Sequence, residues 1–164
     1  MLVIDANVAI GACAQPDGFQ AIGGQNEELA GPPLMWSETR ANLHLMLIKG
    51  EIAAERAATM LERLEGAPVK KHDPPELGRQ AWEIAEQFGW GRTYDAEYVA
   101  LAKILGCRLL TIDGRLRRGA DRLGFVVTPE ELHPPTEEPP APSGEPSTGE
   151  DTTQPEPGAR PPGD

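Results

Sequence analysis

Basic side chains are in short supply: 15 Lys and Arg stand against 26 Asp and Glu in 164 residues, a formal net charge of −11. That balance argues against a protein that grips nucleic acid through whole-molecule charge, and leaves room only for a local basic rim. Cysteine is scarcer still. Cys13 and Cys107 have no CxxC spacing, which speaks against a disulfide framework or a thiolate metal site and for two small buried side chains in a reducing compartment. Long apolar runs are missing as well: nothing approaches the roughly 20 residues that span a bilayer. No leader is visible, because Met1-Leu2-Val3-Ile4 meets Asp5 at once. A soluble, cytoplasmic protein with no membrane partner is expected.

One region lacks a core altogether. From Pro134 to Asp164 there is no Val, Ile, Leu, Met, Phe, Trp or Tyr, while ten prolines, seven acids and one basic residue, Arg160, are present. Such a segment cannot bury enough apolar surface to offset its ordering entropy. It reads as a disordered acidic tail, residues 134–164, behind a single folded domain at residues 1–133. The tail supplies −7 + 1 = −6 of the −11 and leaves −5 for the body.

What the body does have is an alternation of short strands and helices. Leu2-Val3-Ile4 and Arg108-Leu109-Leu110-Thr111-Ile112 are the two clearest strands, Phe125-Val126-Val127 a third and Ala67 to Lys71 a weaker one. Helices are expected at 6–14, weakly between Pro16 and Pro33, from Ser37 to a stop at Gly50, at 52–64, at 76–88 before Gly89, and from the Asp95 region to Gly106. In the 37–49 helix Leu43, Leu47 and Ile48 are assigned to the core. In the 52–64 helix one face carries Ile52, Ala53, Ala57, Met60, Leu61 and Leu64. Strand–helix alternation predicts α/β, with a mostly parallel central sheet flanked by helices.

The two best strands end alike, as Ile4-Asp5-Ala6 and Ile112-Asp113-Gly114. In a parallel sheet, ligands bind beyond the carboxyl ends of the strands. Asp5 and Asp113 are therefore expected to meet although 113 − 5 = 108 positions separate them. Asp95 and Glu38 are expected in the first turns of helices that open toward the same edge, with Ser37 as a cap. Each acid taken singly is more simply a helix cap or a turn residue. Four that converge need another explanation, because unpaired carboxylates repel and a divalent cation relieves them. Hard oxygen donors select Mg²⁺ or Mn²⁺ over Zn²⁺.

The stretches VIDANV at 3–8, WSETRANL at 36–43, YDAEYVALA at 94–102 and LGCRLLTIDGRL at 105–116 resemble the four blocks of a PIN domain, and more narrowly those of VapC-type toxins. The resemblance spans Met1 to about His133. It implies an endoribonuclease whose Mg²⁺ or Mn²⁺ is held by Asp5, Asp95 and Asp113, with Glu38 in the same cluster and Asn7 and Thr111 supporting the site by hydrogen bonds. It further implies a small antitoxin partner, which often places an Arg among the acids; a homodimer is expected because the apolar-rich helices at 37–49 and 52–64 offer more hydrophobic surface than one small core requires. Arg115, Leu116 and Arg117 stand where some relatives carry a further acid.

Such a site attacks with water rather than with the ribose 2′-OH, and Glu38 or Asp95 is the expected proton acceptor. His44, His72 and His133 offer no pair suited to metal-free cleavage; His44 reads as structural, the other two as surface residues. Arg40, Arg92, Arg115, Arg117 and Arg118, with Arg122, form the only concentration of basic charge and are candidate contacts for RNA phosphate. Trp36, Trp82 and Trp90 could stack on bases, though Trp36 and Trp82 fit core packing better. Two alternatives compete: a PIN-like binding protein that no longer cleaves, and a phosphate-accepting receiver. A receiver needs an acidic pair after its first strand, and Asp5 is followed by Ala6-Asn7. A P-loop enzyme is excluded, since GxxxxGK followed by Ser or Thr is absent.

Overall fold

The structure is a computed structural model and describes residues 1–23 and 27–132. His133 and the proposed tail lie outside them. Five strands form one sheet in the order β3-β2-β1-β4-β5, and all four pairings are parallel. They are β1 Leu2–Ile4, β2 Leu29–Gly31, β3 Val69–Lys71, β4 Arg108–Leu110 and β5 Val126–Val127. The helices are α1 Ala6–Cys13, α2 Gly18–Gly23, α3 Pro33–Ile48, α4 Ala54–Glu65, α5 Leu77–Phe88, α6 Tyr94–Leu105, α7 Gly114–Gly119 and α8 Pro129–Leu132. Strand β1 is the centre: Leu2 pairs with Leu29 on one side and with Arg108 on the other. Successive strands run outward from β1 in one direction, then restart on its other side with β4. The reversal between β1 and β4 is the topological switch point at which parallel sheets open a ligand crevice.

The core follows from burial on both faces of this sheet. Leu2, Val3, Ile4, Leu109 and Leu110 are all buried, and Val99 to Ala102 of α6 join them from one side. Small residues along α6 let it lie close on β1 and β4. Gly89 and Gly106, with φ of 67° and 62°, end α5 and α6 in the left-handed conformation that a side chain resists.

Several expectations need correction. Strand β2, Leu-Ala-Gly, was not foreseen. Helix α3 starts at Pro33, four residues before Ser37, because a proline at the first helical position needs no hydrogen-bonded N–H. Ser37 is thus an exposed residue inside the helix and caps nothing. Glu38 lies in the second turn. Ile48, assigned to the core, is 71% exposed, and Trp82 is 60% exposed. Helix α4 begins at Ala54, so Ile52 and Ala53 precede it; Ala53 and Leu61 are exposed. Cys13 is buried and Cys107 half-buried, both as free thiols.

Candidate active site

Asp5 leaves the end of β1 and caps α1, its Oδ1 accepting the Val8 N–H at 2.8 Å. Its Oδ2 accepts the Thr111 hydroxyl at 2.5 Å. Only 3% of the residue is exposed. Burial pushes its pKa up to about 6; the bonds from Thr111 and Val8 pull the other way, and the charges of Asp113 and Asp95 add to the rise.

Asp113 follows β4 and caps α7, accepting the N–H groups of Arg115 at 2.7 Å and Leu116 at 3.4 Å. Its own N–H donates to the Thr111 hydroxyl at 2.9 Å, so one hydroxyl ties both aspartates together. The Arg115 guanidinium lies 3.2 Å from Asp113 Oδ2. Burial raises this carboxyl, but the bonds from Arg115 and Leu116 outweigh it and hold the acid below its ordinary value.

Asp95 is the second residue of α6. Thr93, not Asp95, occupies the capping position, and it forms no side-chain cap bond. Among the described residues no side-chain hydrogen bond to Asp95 satisfies a helix N–H. Asp95 is exposed, yet its pKa is raised, first by desolvation on its inner side and then by the charge of Asp113, with Arg115 opposing. A cap alone does not explain that environment.

Glu38 reaches the group through Tyr98, whose hydroxyl donates to Glu38 Oε2 at 2.6 Å. Tyr98 is 2% exposed. Burial and the Glu38 bond push its pKa far upward, so it stays a donor at any physiological pH. Tyr98 went unnoticed in the sequence, where its place one helical turn after Asp95 was the available signal. Glu97 was also missed: burial, then Glu38 and Asp73, raise its pKa.

Glu38 and Asp95 line a cavity of about 770 Å³ together with Trp90, Arg92, Tyr94 and Arg115. Asp5 and Asp113 are not among its walls. No three His, Cys, Asp or Glu side chains among the described residues are gathered tightly enough to enclose an ion as they stand. The donor set is nevertheless chemically suited to one. The charges of Asp113 and Asp95 disfavour ionisation of Asp5, that of Asp113 disfavours ionisation of Asp95, all three offer hard oxygen, and Arg115 lies on Asp113 as a counter-charge.

The other named residues divide. Arg92 and Arg115 line the cavity. Arg118 lies back over the Asp113 turn, its guanidinium 3.0 Å from where a side chain on Gly114 would begin. Arg117 is instead engaged with Glu131 at 2.6 Å and Asp121 at 2.5 Å. Arg40 lines a separate apolar hollow between α3 and α4, with His44. Asn7 is exposed and makes no side-chain hydrogen bond among the described residues. Trp36 is half-buried under Lys71, 4.9 Å from its ring centroid, and His72 is half-buried, not on the surface.

Comparison with known proteins agrees with this geometry. The PIN domain family model matches residues 2–122. Ribonuclease VapC9 of Mycobacterium tuberculosis is 32% identical over 116 residues, covering 71% of this chain and 88% of its own. Ribonuclease VapC3 of Pyrobaculum aerophilum is 33% identical over 135 residues, covering 78% and 98%. Among solved structures, PAE2754 from Pyrobaculum aerophilum has a TM-score of 0.64 at 22% identity, covering 80% of this chain and 90% of that one. FitAcB from Neisseria gonorrhoeae has a TM-score of 0.53 at 20% identity, covering 81% and 99%. The chain belongs to the PIN domain family, among its VapC ribonucleases.

Proposed function

We propose that this protein is a Mg²⁺- or Mn²⁺-dependent endoribonuclease, the toxin of a toxin–antitoxin pair. The observation that supports the reading is the joining of Asp5 and Asp113 through the Thr111 hydroxyl beyond the ends of β1 and β4, with Asp95 and Glu38 on the wall of a cavity that Arg92 and Arg115 also line. Asp5, Asp95 and Asp113 would hold the cation, with Glu38 in the same cluster. When bound, the ion supplies Lewis-acid stabilisation of the phosphate and lowers the pKa of water.

The rest is done by this chain's own side chains. Arg92 and Arg115 attract and orient the phosphodiester in the cavity. Asp95, with a raised pKa and no donor on its carboxylate among the described residues, or Glu38, steadied by Tyr98, accepts the proton of the attacking water. The water oxygen bonds to phosphorus, one P–O ester bond breaks, and the leaving oxygen takes its proton from solvent. Cleavage of single-stranded RNA that stops in EDTA, returns with Mg²⁺ and is lost in Asp95→Asn is the expected result. Cleavage that persists in excess EDTA would sink the proposal.

The partners follow the same reading. An antitoxin that masks the acids is supported by the VapC relatives. A homodimer is supported by the apolar surface that α3 and α4 leave uncovered, where Leu45 is 47% and Ile48 71% exposed. Sedimentation of the purified chain tests the dimer, and co-expression with the adjacent reading frame tests the masking. No described helix is long and apolar enough to cross a membrane.

A further inference from the structure

A trough leads away from the acids along the turn between α5 and α6. The cavity that Glu38 and Asp95 line continues into a smaller hollow of about 190 Å³, and the two share Gly89, Trp90, Gly91 and Arg92 as walls. Large aromatic rings stand exposed at its two ends: Trp82 beside the hollow is 60% exposed, and Tyr94 beside the acids is 50% exposed. Between them Trp90 is half-buried. Its ring lies 5.2 Å from that of Phe88, and a side chain on Gly119 would begin only 3.3 Å from it. Gly91 has open space where a Cβ would stand, so bare backbone forms part of the wall.

Charge points the same way. Arg92 is exposed and has no acidic partner among the described residues. Two exposed rings flanking a cation match a chain of alternating flat bases and phosphates. They match only an unpaired chain, since a base in a duplex has no free face to offer. Glu86, which also lines the hollow, is suited to accept a hydrogen bond from an exocyclic base amine.

We propose that this trough binds nucleotides of single-stranded RNA adjoining the scissile phosphate, with bases stacked on Trp82 and Tyr94 and a phosphate on Arg92. The inference rests on the ribonuclease reading above and adds to it the subsite that selects unpaired substrate. The test pairs RNA binding in EDTA, followed by anisotropy of a labelled RNA decamer, with Mg²⁺-dependent cleavage kinetics. Trp82→Ala and Tyr94→Ala should weaken binding roughly five- to a hundredfold and raise KM with little change in kcat. Trp82→Phe should keep most of the affinity. Arg92→Gln should lower the slope of log affinity against log salt by about 0.7, the share of one phosphate on a single strand. Wild type that cleaves RNA while Trp82→Ala and Tyr94→Ala bind and cleave equally well would overturn the subsite. A changed sedimentation coefficient of RNA-free Trp82→Ala would overturn it too, by placing a second copy of the chain on that face. Binding that depends on Trp82 without cleavage under any metal would uphold the subsite and overturn the nuclease.

Discussion

Asp5 and Asp113 are the same device used twice, and they behave as opposite acids. Each follows a strand of the central sheet, each caps the next helix, and each bonds to the Thr111 hydroxyl. Asp5 is buried with no cation against it among the described residues, and its pKa climbs to about 6. Asp113 keeps one side in solvent and Arg115 on the other, and its pKa falls. The motif therefore sets position, while burial and the nearby Arg115 set acidity. A pair split in this way presents one carboxylate that resists ionisation and one that welcomes it.

The largest effect should come from removing either acid. Asp5→Asn and Asp113→Asn should each lower RNA cleavage on the order of a thousandfold, since the Lewis-acid contribution is worth several kcal/mol. Their stabilities in EDTA should separate them. Asp5→Asn should melt several degrees above wild type at pH 7, and Asp113→Asn slightly below it. Equal shifts of the same sign would abolish the comparison.

The pH dependence follows with a definite sign. Folding raises the pKa of Asp5 from 3.8 to about 6, so the folded state holds this proton more tightly than the unfolded chain. Wild type therefore carries no penalty from Asp5 below about pH 4, acquires it as pH rises to 6, and bears it fully above, where it amounts to about 3 kcal/mol. Denaturation in EDTA should show the gap between Asp5→Asn and wild type growing across that window. A gap independent of pH would contradict the acid strength assigned to Asp5.

Thr111→Val tests what joins the two acids. It removes the donor to Asp5 and the acceptor of the Asp113 N–H in a fully buried place, and should cost about 1–3 kcal/mol, measured by urea unfolding. Smallest is Tyr98→Phe, which keeps the ring and loses one bond to Glu38. Cleavage should fall roughly three- to tenfold with the fold intact, in line with a bond worth about 1 kcal/mol. An unchanged kcat would mean that Glu38 needs no steadying.

Much of the fold was legible because its signals are local. Leu2-Val3-Ile4-Asp5 announces a strand that ends in a carboxylate, the 108–112 stretch announces a strand that stops at Leu110, short of Asp113, and Gly89 and Gly106 end their helices as expected. Strand β2 was not legible. Leu29-Ala30-Gly31 has little β propensity of its own and is extended because β1 and β3 pair with it on either side. Pro33 is a local signal for the early start of α3, and it competes in the sequence with the cap that Ser37 suggests. Exposure of Ile48 and Trp82 was invisible, since an apolar residue on an amphipathic helix looks the same whether a core or nothing covers it. The ion pair of Arg117 with Asp121 lies at i, i+4 and was readable; its bond to Glu131 depends on how β5 returns the chain.

The pairing of β1 with β4 has a consequence in time. Leu2 meets Arg108 across the sheet, 108 − 2 = 106 residues later in synthesis. At roughly 5–20 residues per second, about 5–20 s separate the emergence of Asp5 from that of Asp113. Throughout that interval the central strand lacks one neighbour and Asp5 lacks its Thr111 bond. The order of the strands thus acts as a delay: Asp5 and Asp113 cannot be brought together until residue 113 of the 164 has been made.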